Sequence, residues 1–217
     1  MIHVIIFAYL FGARDATGVL LPLLIVGDVC AICYFGKQAQ WKHIRRLLPP
    51  TLIGVVVGWL MMKQLNEAVF KPLVGTIILT LTCIQTVRMW RPNWFDKFPH
   101  EKWFAWSLGF LVGLTTMLAN AAGPVMALYL LAVSLPKLEL VGTSAWFFLV
   151  INVLKVPFSF NMGLITLETL TLNLIVAPAV LPGMWIGRWL IQRVPQRVFD
   201  SLLLALTAIA ALRLIAF

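Results

Sequence analysis

Asn152 and Lys155 stand three residues apart in an apolar stretch, 141–160, that carries no other charge. On a helix that spacing puts both side chains on one face. An amide beside an ammonium is a donor set for an anion, and an ionisable residue inside a membrane-length run is a functional candidate by default, with snorkelling of Lys155 to the interface an equal alternative. Asp28 is the single charge of a second such run, 17–35. A carboxylate there can carry a proton and couple flux to a gradient, or pair with Lys155. A third group lies in Phe104–Leu135, a run without any charge that is interrupted halfway by Thr115-Thr-Met-Leu-Ala-Asn-Ala-Ala-Gly-Pro124. Gly123 and Pro124 are expected to end helical hydrogen bonding there. The freed N–H groups opening the next limb carry partial positive charge and suit an anion. Asn120 adds an amide donor, and Ala121 and Gly123 let a ligand approach the backbone. Thr115, Thr116, Thr143 and Ser144 supply hydroxyls, for which helix packing is an equal alternative.

These groups can hold an oxyanion but have no means to break a bond. Within the spans there is no paired carboxylate, no Ser/His arrangement and no His/Glu metal spacing. His3, His43 and His100 lie at ends and loops. Cys30, Cys33 and Cys83 lie in apolar runs and read as small core residues. No Gly-x4-Gly-Lys-Ser/Thr motif is present. The expectation is a protein that is not an enzyme, with no cofactor and no metal.

The elements that position these groups follow from composition. The 217 residues are 61% hydrophobic and 12% charged, with a mean hydropathy of +0.95. A soluble domain averages about 45–50% apolar and about 25% charged residues. Runs 17–35, 47–62, 72–87, 141–160, 169–187 and 198–217 approach or reach the roughly 17–25 residues that cross a bilayer as helix. Polar/apolar alternation is absent, which excludes a β-barrel. The sequence therefore specifies an all-α, polytopic helical membrane protein, multi-pass in the cytoplasmic membrane. Its net charge of +9 resides in short loops and reports topology, so nucleic acid is not a partner. Trp41, Trp90, Trp94, Trp103 and Trp106 fit an interfacial belt.

The chain also repeats. A shift of 129 sets Pro49 on Pro178, Gly54 on Gly183 and Gly58 on Gly187, and a shift of 124 sets Gly18 on Gly142 and Asp28 on Asn152. The expected organisation is a first repeat over 1–90, a cytoplasmic linker loop over 91–103, and a second repeat over 104–217 with its broken helix at 115–124. Extending the 124 shift backwards puts the counterpart of Ala119–Pro124 just before Met1. The first copy is thus expected to lack its first limb, or the sequence to begin downstream of its true start. The Gly54/Gly58 and Gly183/Gly187 pairs have GxxxG spacing and read as close helix packing.

Charge decides how Phe104–Leu135 lies. As one helix it would run about 48 Å, against about 30 Å of hydrocarbon. A single crossing divides the loop Lys and Arg nine against seven, whereas a segment that enters, breaks and returns divides them twelve against four with Lys155 in the membrane. The positive-inside rule selects the second arrangement. Limbs 104–116 and 121–134 then form a re-entrant hairpin, and the two halves form an inverted repeat.

Ala119-Asn-Ala-Ala-Gly-Pro124, Tyr129-Leu-Leu, Leu135-Pro-Lys137, Gly142-Thr-Ser-Ala-Trp146 and Asn152-x-x-Lys155-x-Pro157 resemble the sulfite exporter TauE/SafE family of membrane transporters. Thr17-Gly18, Leu21-Pro22-Leu23-Leu24, Asp28-Val29, Trp41 and Pro49 with Gly54 and Gly58 extend the resemblance over nearly the whole chain. The resemblance implies a secondary transporter of small anions, often sulfur-containing ones such as sulfite or organosulfonates. Members usually open with a Gly-rich first segment, which is not found here. The expected substrate-binding residues are Asn120, Ala121, Gly123, Thr143, Ser144, Asn152 and Lys155, with Asp28 as the coupling residue. Expected partners are a small anionic substrate and the lipid bilayer, with assembly into a homo-oligomer left open. The rival classes are a non-transporting scaffold or truncated inactive copy, and an intramembrane enzyme.

Overall fold

A computed structural model describes residues 13–64, 102–120 and 122–216, with scattered helical positions between 76 and 90. Residues 1–12, most of 65–101 and Ala121 lie outside the described residues, and with them most of the expected span 72–87 and of the linker loop. Every described element is helical: α1 (Ala13–Phe35), a 3-10 turn (Gly36–Gln38), α2 (Trp41–Gln64), α3 (Lys102–Ala119), α4 (Ala122–Ala132), α5 (Lys137–Asn161), α6 (Leu167–Val176), a 3-10 turn (Ala177–Ala179), α7 (Val180–Arg193) and α8 (Gln196–Ala216). Asp15–Gln38, Trp41–Met62, Lys137–Asn161 and Leu167–Arg193 are long and apolar enough to cross a membrane. The expected run 198–217 is the body of α8.

The chain forms two compact units. One combines Pro49–Leu135 with Pro195–Phe217, the other Ile2–Leu48 with Pro136–Val194. Each unit therefore draws on both halves of the sequence. The boundary in α2 falls at the Pro49-Pro50 pair inside that helix, where two i→i−4 hydrogen bonds are lost.

In the Pro49–Leu135 unit, α2 and α3 touch backbone to backbone. A Cβ on Gly54 would lie 2.1 Å from the Phe110 carbonyl oxygen, and one on Gly113 would lie 2.0 Å from that of Thr51. The approach lets the Thr51 hydroxyl donate to the Gly109 carbonyl at 2.9 Å. This is the close packing expected of Gly54 and Gly58. Gly183 and Gly187 depart from it: both are exposed and a Cβ on either would meet nothing within 4 Å. The spacing is the same in both pairs, but among the described residues only the first has a helix against it. Gly54→Val should accordingly lower folded yield and melting temperature by the equivalent of about 1–3 kcal/mol or more, the cost of overpacking a fitted site. Gly187→Ala should be neutral, and thermal melts of both in detergent check the contrast.

α3 and α4 fold back on one another. The Phe104 and Tyr129 rings stack with centroids 6.3 Å apart, whereas a continuous helix would separate those residues by about 37 Å. The break lies at Asn120, whose φ of 49° is left-handed and whose N–H donates to the Thr116 carbonyl at 3.1 Å. Asn is, after Gly, the residue that best ends a helix this way. Sequence reasoning placed the break at Gly123 and Pro124. Both instead belong to the first turn of α4, where a missing N–H costs no intrahelical bond. Val125–Ala132 are buried at every position, as befits a helix that is apolar all round.

In the other unit α1 and α5 pack antiparallel along their length. The indole N–H of Trp146 donates to the Gly36 carbonyl at one end. Asp28 meets Asn152 midway, and Gly18 lies against Leu164 at the other end. Asn173 ties α6 to this pair, its amide donating to the Val19 carbonyl at 2.8 Å. Lys137, opening α5, donates to the Val194 carbonyl that follows α7.

Candidate functional site

The α1–α5 contact positions the polar residues. Apolar side chains cover most of this interface, so a polar group on it must find a partner on the facing helix. Asn152, 4% exposed, donates its amide to the Asp28 carboxylate at 2.7 Å. Lys155 follows on the same face of α5 and is 1% exposed. Among the described residues it is the one charged side chain that is buried. Helical side chains lean toward the N-terminus of their own helix. In an antiparallel pair this tips Lys155 toward the turn of Asn152, and Asp28 toward the turn of α1 that faces Lys155. The ammonium and the carboxylate lie within each other's field. Buried cation and amide and a half-buried carboxylate thus lie along one stretch of the α1–α5 contact. Single-residue reasoning found all three, and the antiparallel register brings them together.

The remaining expected residues divide. Thr143 is fully buried two to three turns up α5, and its hydroxyl oxygen accepts from the Gln40 N–H at 2.9 Å. It anchors the turn between α1 and α2. Ser144, half-buried, points about 100° further round the helix. Asn120 and Gly123 belong to the other unit. Thr115 donates to the carbonyls of Leu111 at 2.7 Å and Val112 at 3.2 Å, so it is satisfied within α3. Ala121 lies outside the described residues. Sequence reasoning passed over Ser159, 2% exposed and one turn beyond Lys155 on the same face. The progression 152, 155, 159 was the signal for it. It also passed over Asn173, also buried, whose amide donates both to Val19 and to the Thr169 carbonyl. An Asn inside an apolar run gave notice of a backbone clamp. Among the described residues no group of three His, Cys, Asp or Glu could hold a metal.

Membrane-length helices that pack with a buried cation and amide and a half-buried carboxylate on their contact define an integral membrane protein with polar groups between its helices. The sequence model of the family described as Sulfite exporter TauE/SafE matches residues 1–214 of the 217. The chain belongs to that family, which is one of membrane transporters. No curated protein and no solved structure matches it.

Proposed function

We propose that this chain is a secondary transporter that carries small sulfur-containing anions, sulfite or organosulfonates, across the cytoplasmic membrane. The observation that carries this reading is Lys155, buried between membrane-length helices with Asn152 and Asp28 beside it. Burying a cation is costly unless it has work and partners there. Family membership supports the substrate class. Asn152 and Lys155 bind the anion and Asp28 couples its movement to protons. Thr143, Ser144, Asn120, Ala121 and Gly123 are further substrate-binding candidates. Uptake of labelled sulfite and methanesulfonate into proteoliposomes, absent from empty liposomes, tests the proposal. A protein that inserts but moves neither anion would be a scaffold.

In the same reading Phe104–Leu135 is a re-entrant hairpin and the chain an inverted repeat. Support for the hairpin comes from α1 and α5. A single crossing by Phe104–Leu135 makes these helices parallel in the membrane, and a return makes them antiparallel, as they are. The repeat draws support from reciprocal contacts. Gly18 lies against Leu164, while Gly142, its counterpart at a shift of 124, lies against Phe35 and Ala39, beside Gln40, the counterpart of Leu164. Asp28 touches its own counterpart, Asn152. Residue i contacting j′ while j contacts i′ is the mark of a two-fold relation. Repeats over 1–90 and 104–217, joined by 91–103, are part of this proposal. Single cysteines at 94 and 138, in a background without Cys30, Cys33 and Cys83, should label from the same, cytoplasmic side. Labelling from opposite sides would remove both hairpin and inversion.

A further inference from the structure

We propose that the Asp28 carboxylate is a built-in competitor for the transported anion: ionised, it holds Asn152 and Lys155; protonated, it yields them to a monoanion, so one proton enters the site with each anion. This rests on the anion-transport reading above. Three observations converge on it. The Asn152 amide, the obvious neutral donor to an oxyanion, already donates to an oxyanion, Asp28, at 2.7 Å. Lys155, buried on the same face, lies in the field of that carboxylate. The antiparallel register tips both charged side chains into the space between the same two turns. The site is therefore occupied by a carboxylate of the protein itself.

Charge balance then fixes the stoichiometry. Lys155 and Asp28 together are neutral. An anion arriving beside the ionised pair would leave a net negative charge away from water, which a low-dielectric interior disfavours strongly. A proton taken from water by the Asp28 carboxylate restores neutrality, with Lys155 still an ammonium and the anion in the place the carboxylate left. Release reverses the step: the anion departs, Asp28 loses its proton to water, and the carboxylate closes back on Asn152. Among the described residues the other charged groups on the elements packed against α1 are engaged elsewhere, exposed or, like Glu139, at the opening of α5, and Ser159, buried one turn beyond Lys155 on its face, is uncharged. Arg188 of α7 lies over the Tyr34 ring at 4.6 Å, Asn173 of α6 binds the Val19 carbonyl, Glu168 is exposed at the start of α6, and Lys37 is exposed in the turn after α1.

The test uses methanesulfonate, a fixed monoanion over the range used, so any linked proton belongs to the protein. Its affinity for the purified full chain is read from thermal stabilisation in detergent between about pH 3 and pH 9, a window that brackets carboxyl and imidazole titration. Exchange of labelled methanesulfonate and sulfite between equal pools in proteoliposomes is measured alongside. In the unmodified protein affinity should weaken about tenfold per pH unit once Asp28 ionises, the slope of one linked proton. Asp28→Asn, and Asp28→Ser as a second variant should the first fold poorly, should bind more tightly at high pH and with no pH dependence. Exchange in the unmodified protein with a pH-independent affinity would overturn the competition while sparing the transport reading. Weaker binding in both Asp28 variants would do the same. Absence of binding and of exchange for both anions would overturn the transport reading and the competition with it.

Discussion

Lys155→Met ends uptake and also lowers the folded yield; removing Asp28 in the same chain brings back the yield and not the uptake. The first half of this expectation is electrostatic. Met fills the space of the lysine stem but leaves the Asp28 carboxylate with only the Asn152 amide. Breaking a fully buried pair from one side costs about 3–5 kcal/mol because the remaining charge is stranded, and the half-buried Asp28 should cost less. The second half separates structure from function. Asp28→Asn with Lys155→Met leaves two neutral side chains, and Asn can still bond Asn152, so the packing of α1 on α5 is kept. If Lys155 and Asp28 only hold the helices together, the double variant recovers activity with the yield. If Lys155 neutralises the substrate, the double variant folds and stays inactive. Asp28→Asn alone should lose uphill, pH-driven uptake, since the group that exchanges the proton is gone. Folded yield by size-exclusion chromatography and uptake in proteoliposomes decide among these, and activity in the double variant would end the transport role of both residues.

Asn120 ends a helix and is also proposed to bind substrate, and two substitutions separate these roles. Its left-handed φ of 49° means that Asn120→Leu should abolish uptake whatever the amide does. A bulky side chain is strained there by about 1–2 kcal/mol, and it crowds the backbone between α3 and α4. Asn120→Gly is the informative change. Gly adopts positive φ freely, so the turn that folds α4 back onto α3 survives. Loss of uptake with an unchanged melting temperature would make the amide a substrate donor. Full uptake would make Asn120 a helix terminator and leave recognition to the other residues.

These two sites also show how far the sequence could be read. Asp28, Asn152 and Lys155 announced themselves because a charge or an amide in an apolar run has few uses. Their meeting was half legible: the 124 shift paired Asp28 with Asn152 as equivalents, but equivalence does not imply contact. Contact between them depends on α1 and α5 lying antiparallel. The loop charges gave that orientation indirectly. The break in Phe104–Leu135 was legible as an event and misplaced by a few residues. Gly and Pro are the stronger breakers by propensity, yet they are harmless in a first turn, and the left-handed Asn before them does the terminating. The GxxxG pairs mark the limit of pattern reading. Gly54 and Gly183 have the same spacing, but only tertiary packing determines whether a helix lies against them.

Lys155 and Asn152, in the proposed function, form an anion site inside the membrane from which the chain moves the bound anion. The most direct measurement is counterflow of labelled sulfite in proteoliposomes, unmodified protein against Lys155→Met, with unlabelled methanesulfonate as competitor and insertion of both proteins verified. Counterflow in the unmodified protein should be rapid and inhibited by methanesulfonate, and Lys155→Met should show none above empty liposomes. Equal counterflow in the two proteins would contradict the proposed anion site.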